Sequence, residues 1–152
     1  MGERRSLIRL TADEILAGLS AALEAEEQAA ADYHAHAQAS EQTSIREALE
    51  TLRDVEREHA LRLALRITAL GSRPVSAAPK ARLPGDTLAD WLTQDLEGEQ
   101  WAIVEYARLV AGAVDDDETA ELMAELLRDE IRHARWLKST LRAGEREIRS
   151  SE

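Results

Sequence analysis

The chain has 152 residues, a formal net charge of −11 and a hydrophobic fraction of 44%, which is enough for one domain with a substantial core. It has no cysteine, so disulfides, thiolate metal sites and iron–sulfur clusters are excluded. The acidic balance argues against a nucleic-acid partner, because a phosphate backbone demands a basic face, and no apolar run approaches the roughly 18 residues of a membrane span.

Ala, Leu, Glu and Arg dominate, Phe is absent and Pro occurs only three times, which predicts an all-α protein. The opening MGERRSLIRL is short and broken by charge, unlike a signal peptide, so a cytoplasmic location is expected. TADE at 11–14 is a capping box that opens a first helix reaching about residue 40. SIRE at 44–47 reads as a second capping box, for a helix that stops at Gly71 with Pro74 just beyond. Asp86 is placed to cap a third helix running to about 113, and DDDE at 115–118 puts negative charge at the start of a fourth that ends near Gly144. Residues 1–143 are therefore read as one helical-bundle domain and 144–152 as a short polar tail.

Loop lengths set the topology. The first and third connections are a few residues long, which forces antiparallel neighbours. The second, GSRPVSAAPKARLPG, holds all three prolines; near-extended, at about 3.1 Å per residue, it reaches about 46 Å. A helix of about 27 residues is about 40 Å long. The connection can thus span the bundle and start the third helix parallel to the second.

Stepping by threes and fours along each helix gives an apolar seam. The seams read Leu16, Leu19, Leu23, Glu26, Ala30, Tyr33, Ala37; then Ile45, Leu49, Leu52, Glu56, His59, Leu63, Ile67, Leu70; then Leu92, Leu96, Glu99, Ile103, Tyr106, Val110, Ala113; then Met123, Leu126, Glu130, His133, Leu137, Leu141. Each is apolar except at one level, where it carries Glu or Glu-x-x-His, and that level is the middle of every predicted helix. Glu24, Glu27, Glu58, Glu97 and Glu105 fall about 100° or 200° of rotation off the seam and read as solvent-facing. His34 and His36 also lie off the seam and read as surface residues, while Trp91, Trp101 and Trp136 read as packing or interface residues.

Four carboxylates in an apolar bundle cannot all stay ionised alone, since each loses several kcal/mol of hydration. Two divalent cations supply the balancing charge, and carboxylate with imidazole suits iron or manganese. One Glu from each of two helices with Glu-x-x-His from the other two is the ligand pattern of di-iron and di-manganese carboxylate bundles. The candidate ligands are Glu26, Glu56, His59, Glu99, Glu130 and His133. Tyr33 and Tyr106, two turns from Glu26 and Glu99, have two open readings: core tyrosines with satisfied hydroxyls, or donors to ligand carboxylates. Asp129 can orient an imidazole across the bundle, but its counterpart is Val55, which makes any such support one-sided. The two halves echo one another, EEQAAADY (26–33) with EQWAIVEY (99–106) and EREH (56–59) with EIRH (130–133), at offsets of 73 and 74 residues. This internal repeat predicts a pseudo-twofold site.

ALGSRP closing the second helix, DLEGEQWAIVEY and ELLRDEIRHARWL resemble the ferritin-like superfamily, and most of all bacterioferritin, over about residues 15 to 143. The resemblance implies a ferritin-like four-helix bundle whose six candidate ligands form a ferroxidase site, with Glu56 and Glu130 bridging two iron ions. It also implies Fe(II) oxidation by O2 or H2O2, and storage of the mineral in a 24-subunit cage. Two departures qualify it. Arg57 occupies the place of the family's haem-ligating methionine, so no haem is expected; and only 19 residues follow His133, which leaves the family's short fifth helix missing or truncated and a homo-oligomer of at least two chains as the expectation. A rubrerythrin-type peroxide reductase is the competing enzyme, but Ala102 stands where such proteins place an extra carboxylate. A di-metal oxygenase would need a cavity beside the metals, for which the small Ala30 and Ala37 offer room, and a bundle that binds metal without turnover is the non-enzymatic alternative.

Overall fold

The structure, a computed structural model, describes residues 8–152; residues 1–7, which carry most of the stretch read above against a signal peptide, lie outside it. Its described residues form four helices: α1 (Ala12–Ala39), α2 (Thr43–Ala69), α3 (Leu88–Gly112) and α4 (Asp117–Ser150). α1 packs mainly on α2 and α3 mainly on α4, and the two pairs are joined chiefly through α1 and α3.

The core has two apolar halves with a polar layer between them. One half gathers Leu19, Leu23, Leu63, Ile67, Tyr106, Leu109, Met123 and Leu126. The other gathers Tyr33, Leu49, Leu52, Leu92 and Leu137. Followed along the chain, α1 and α4 run from the first half to the second, whereas α2 and α3 both run from the second to the first. α2 and α3 are therefore parallel, and the long crossover spans the bundle as its length predicts.

The caps show which local signals won. Thr11 and Glu14 form the predicted capping box of α1. α2 starts one residue before Ser44, with Gln42 as its cap residue and no side-chain cap, so the SIRE box is not used. α3 is capped by Thr87 rather than Asp86: Thr87 Oγ1 accepts from the Asp90 N–H and the Asp90 carboxylate accepts from the Thr87 N–H, a reciprocal pair that Asp86 cannot make. Asp116 caps α4. At the end of α2, Gly71 takes φ 83°, and the Ser72 and Gly71 N–H groups donate to the Ile67 and Thr68 carbonyls, the Schellman closure that a glycine permits. α4 does not stop at Gly144 but continues to Ser150; the strong helix formers Glu145, Arg146 and Glu147 offset the roughly 1 kcal/mol that an exposed helical glycine costs.

Candidate metal centre

Glu26, Glu56, His59, Glu99, Glu130 and His133 all lie in the layer between the apolar halves, each no more than 6% exposed. Their ligand atoms fall into two overlapping groups, Glu26–Glu56–His59–Glu130 and Glu56–Glu99–Glu130–His133, the atoms of each within 4.8 Å of one another. Glu56 and Glu130 belong to both, which is the arrangement of bridging carboxylates between two positions. The two imidazoles lie nearly parallel with ring centroids 6.3 Å apart and both turn Nδ1 inward: His59 Nδ1 is 2.9 Å from Glu130 Oε1, and His133 Nδ1 is 2.7 Å from Glu56 Oε1.

The other side chains around this layer obey the same pseudo-twofold. Tyr33 on α1 donates to Glu99 Oε1 of α3 at 2.6 Å, and Tyr106 on α3 donates to Glu26 Oε1 of α1 at 2.6 Å. Of the two readings open for these tyrosines, the structure selects hydrogen bonding to the candidate ligand carboxylates. Asp129 Oδ2 lies 2.8 Å from His59 Nε2, the predicted one-sided support.

Electrostatics mark this layer as incomplete by itself. Burial, then the neighbouring Glu56, pushes Glu130 well above the usual carboxylate range. Burial would raise Glu99 too, but the neighbouring carboxyl of Glu130 and the imidazole of His133 hold it below its ordinary value; the metal-free pair shares a proton that rests on Glu130. Burial pulls His133 down, but Glu56 and Glu99 outweigh it and push it up to about 9. His59 is raised against the same opposition by Glu56 and Asp129. Even so, Glu26 Oε2, Glu56 Oε1, Glu99 Oε2, Glu130 Oε1 and His133 Nδ1 are buried without a hydrogen-bond partner. Several lie close to one another, as His133 Nδ1 and Glu56 Oε1 do at 2.7 Å, but without the angles of a hydrogen bond. Buried polar atoms are rarely orphaned; five in one layer, all of them oxygen or imidazole donors, fit a pair of iron or manganese ions.

A cavity of about 190 Å³ reaches this layer between α1 and α3. Ala25, Ala29, Gly98 and Ala102 form its walls, and its floor touches all four glutamates but neither histidine. Ala30 and Ala37 do not line this cavity: Ala37 is fully buried in packing, and Ala30 faces a separate pocket beside Arg57 and Ala60.

The pattern of the seams needs two corrections. On α3 the buried line passes through Asp95, Ala102 and Leu109 as well as Leu92, Glu99 and Tyr106, while Leu96, Ile103 and Val110 are only half-buried, because α3 also faces α1. His34 is exposed, as predicted, but His36 is fully buried. The crossover covers that side of α1 and adds a wall that the seam reading lacks. There His36 Nδ1 meets Asp95 Oδ2 at 2.7 Å, its Nε2 meets the Arg82 carbonyl at 2.7 Å, and Trp91 stacks on its ring. The Arg82 guanidinium in turn donates to Asp32. Of this cluster the sequence carries only one local signal, the i, i+4 spacing of Asp32 and His36. Trp91 and Trp136 are half-buried in packing; Trp101 is 44% exposed.

Four helices, one long crossover and a buried layer of four glutamates and two histidines define the class of ferritin-like bundles. The sequence profile of the Ferritin-like domain family matches residues 15–146, and the chain belongs to that family. Solved structures share the fold. A dodecameric thioferritin, the bacterioferritin-related protein of Bacteroides fragilis, is 24% identical with a TM-score of 0.82, over 93% of this chain and 92% of that one. The bacterioferritin of Rhodobacter capsulatus, described with a metal-free dinuclear site and haem iron, is 23% identical with a TM-score of 0.79, over 91% and 89%. The bacterioferritin of Mycobacterium tuberculosis is 21% identical with a TM-score of 0.82, over 91% and 90%. A search among curated proteins finds no match.

Proposed function

We propose that the chain is a ferroxidase of iron storage or detoxification, with Glu26, Glu56, His59, Glu99, Glu130 and His133 holding a pair of iron ions. The observation that carries this reading is the two overlapping ligand groups sharing Glu56 and Glu130, with five unpartnered donor atoms between them. When bound, the paired iron supplies one electron from each Fe(II) to an oxidant, O2 or H2O2. The chain's own residues do the rest. Glu26 and Glu99 each serve one position, held in orientation by Tyr106 and Tyr33. Glu56 and Glu130, which belong to both ligand groups, would serve both ions, and Glu130 would release its proton on binding them. The apolar halves above and below exclude bulk water, which strengthens every charge interaction in the layer.

The cavity supports a small substrate. About 190 Å³ is enough for a hydrated ion or an oxidant and less than the usual pocket for an organic molecule. It meets the site on its carboxylate side, where Fe(II) finds anionic ligands first. Ala102 lines that cavity and offers no further carboxylate of the rubrerythrin kind. Self-association is supported by large apolar side chains left in solvent, Leu61 and Leu65 on α2 and Trp101 and Val104 on α3.

The test is anaerobic Fe(II) titration of the metal-free protein, then rapid mixing with O2 or H2O2, with mass by light scattering on the same sample. Two Fe(II) per chain and fast oxidation are expected. Peroxide far outpacing oxygen in a small oligomer would move the assignment to a peroxide reductase, and no stoichiometric Fe(II) binding would sink it.

A further inference from the structure

The pseudo-twofold is kept by the terminal glutamates, the bridging glutamates, the histidines and the tyrosines, and among the groups hydrogen-bonded to the two imidazoles it is broken at one pair of positions. On α4, Asp129 reaches across to α2 and accepts from His59 Nε2 at 2.8 Å. Its other oxygen accepts from Arg132 Nη1 at 3.3 Å. The matching position on α2 is Val55, which accepts no hydrogen bond. His133 makes its close polar contacts through Nδ1 alone, and at 6% it is the most exposed of the six candidate ligands.

A carboxylate on the outer nitrogen of an imidazole fixes its tautomer, so that the inner nitrogen keeps its lone pair for a metal, locks the ring's orientation and raises its basicity. His59 has such a carboxylate in Asp129, and His133 has none on its outer nitrogen. Tyr33 and Tyr106 contribute equally to the two sides, with hydrogen bonds of 2.6 Å each, so nothing in the tyrosine pair offsets the difference.

We propose that the two metal positions are functionally unequal: the position built on Glu26 and His59 holds a resident ion, and the position built on Glu99 and His133 holds the exchangeable one. Asp129 is the positioning residue that creates the difference. This rests on the di-metal reading above and adds an order to it. The first cation to arrive settles beside His59, and the ion turned over is the one beside His133. The centre then works as a resident cofactor ion next to a substrate ion, rather than as a site that fills and empties in pairs.

The experiment is anaerobic Co(II) titration of the full chain, followed by calorimetry and by visible ligand-field absorption. The wild type is expected to bind two Co(II) in two steps separated by about 10–100-fold in Kd, the range of a single supporting partner, and to retain one after gel filtration. In Asp129→Ala the tighter step weakens toward the other, while helix content and the weaker step stay as they were; a merely structural role for Asp129 would move both steps together. Val55→Asp tightens the weaker step and brings the two together from the opposite side. Two Co(II) bound with equal affinity by the wild type, or two steps unchanged in Asp129→Ala, overturn the inequality and leave the di-metal site standing. No stoichiometric Co(II) uptake overturns the di-metal reading itself.

Discussion

Two buried polar clusters sit side by side in this bundle, and they differ in whether their residues satisfy one another. Beside the crossover, Asp32 accepts from Gln28 and from the Arg82 backbone and guanidinium. His36 has one partner on each ring nitrogen, the Asp95 carboxylate and the Arg82 carbonyl. Since the carbonyl accepts only, and the carboxylate accepts when ionised, His36 serves both as an imidazolium. Two anions then face two cations, and the charges balance within the cluster, although the stacked Trp91 keeps an unpartnered Nε1. In the mid-layer, four carboxylates face two imidazoles and five donor atoms have no partner. A closed cluster is accounted for as structure, whereas an open one calls for a ligand from outside.

The largest effect is expected at the open cluster, from a change that removes a shared charge while keeping its shape. Glu130→Gln should drop cation binding from two per chain to at most one, because Glu130 belongs to both ligand groups. Binding to the folded state alone stabilises by about 2.7 kcal/mol at a hundredfold excess over Kd, roughly 5–10 °C in a chain of this size. That gain should shrink in the variant, and vanish if no cation remains bound, while the metal-free protein melts no lower than the wild type, since the carboxyl removed carries a proton already. Thermal melts with and without Co(II) check both halves, and an undiminished metal-dependent rise would overturn the bridging role.

The mirror-image change belongs to the closed cluster. His36→Ala leaves Asp95 buried without its partner, which costs about 3–5 kcal/mol, on the order of 10 °C. Cation stoichiometry should stay at two. The same melts and titration read it, and a loss of metal with little loss of stability would mean that the clusters have been assigned the wrong way round.

That contrast also shows where sequence reasoning reached. Helical period and mid-helix depth were enough to bring Glu26, Glu56, His59, Glu99, Glu130 and His133 together, because all six obey the seam that the four helices share. The fold followed from loop lengths, with the crossover forcing α2 and α3 parallel. What was not legible depends on coverage by a segment with no period of its own. Residues 80–82 of the crossover turn the His36 face of α1 into interior, and no spacing within α1 announces it. Asp95 on α3 is buried against that same face of α1, where it meets His36. Local capping choices at Asp86 and Ser44 were lost to neighbours one or two residues away, a margin that competing Thr, Ser and Asp side chains leave undecided in sequence.

A pH series should separate the clusters by sign. Burial pulls His36 down, but Asp95, the Arg82 carbonyl and Asp32 outweigh it and hold it above its usual value. Its contribution is therefore fully present below about 6.5 and is lost as pH rises through its raised folded pKa. Asp95 is pushed up to about 6, mainly by burial, so its ionisation between about 4 and that value also takes stability away. The folded chain binds more protons than the unfolded one, and metal-free stability declines from pH 5 to 8. Cation uptake responds in the opposite direction, because protons on Glu130 and on His133, which is pushed up to about 9, must leave first. Melting temperature in chelator should fall across that range, less steeply in His36→Ala, while Co(II) affinity climbs toward pH 9 in both proteins. Affinity falling with pH would contradict the protonated layer.

The smallest effects test whether the open cluster is symmetric where its hydrogen bonds say it is. Tyr33→Phe and Tyr106→Phe each remove one 2.6 Å donor to a terminal carboxylate, Glu99 and Glu26 respectively. A phenol donating to a charged group contributes about 1–2 kcal/mol net, so each variant should lose a similar, modest amount of stability and weaken one cation step several-fold. The step differs between them: Tyr106→Phe acts on the position beside His59, and Tyr33→Phe on the position beside His133. If Asp129 alone makes the two positions unequal, the two losses match within about 0.5 kcal/mol, and the gap between the binding steps narrows in Tyr106→Phe and widens in Tyr33→Phe. Matched losses with opposite changes in the gap would place the asymmetry on the imidazoles; a loss concentrated in one tyrosine would place it on the carboxylates instead.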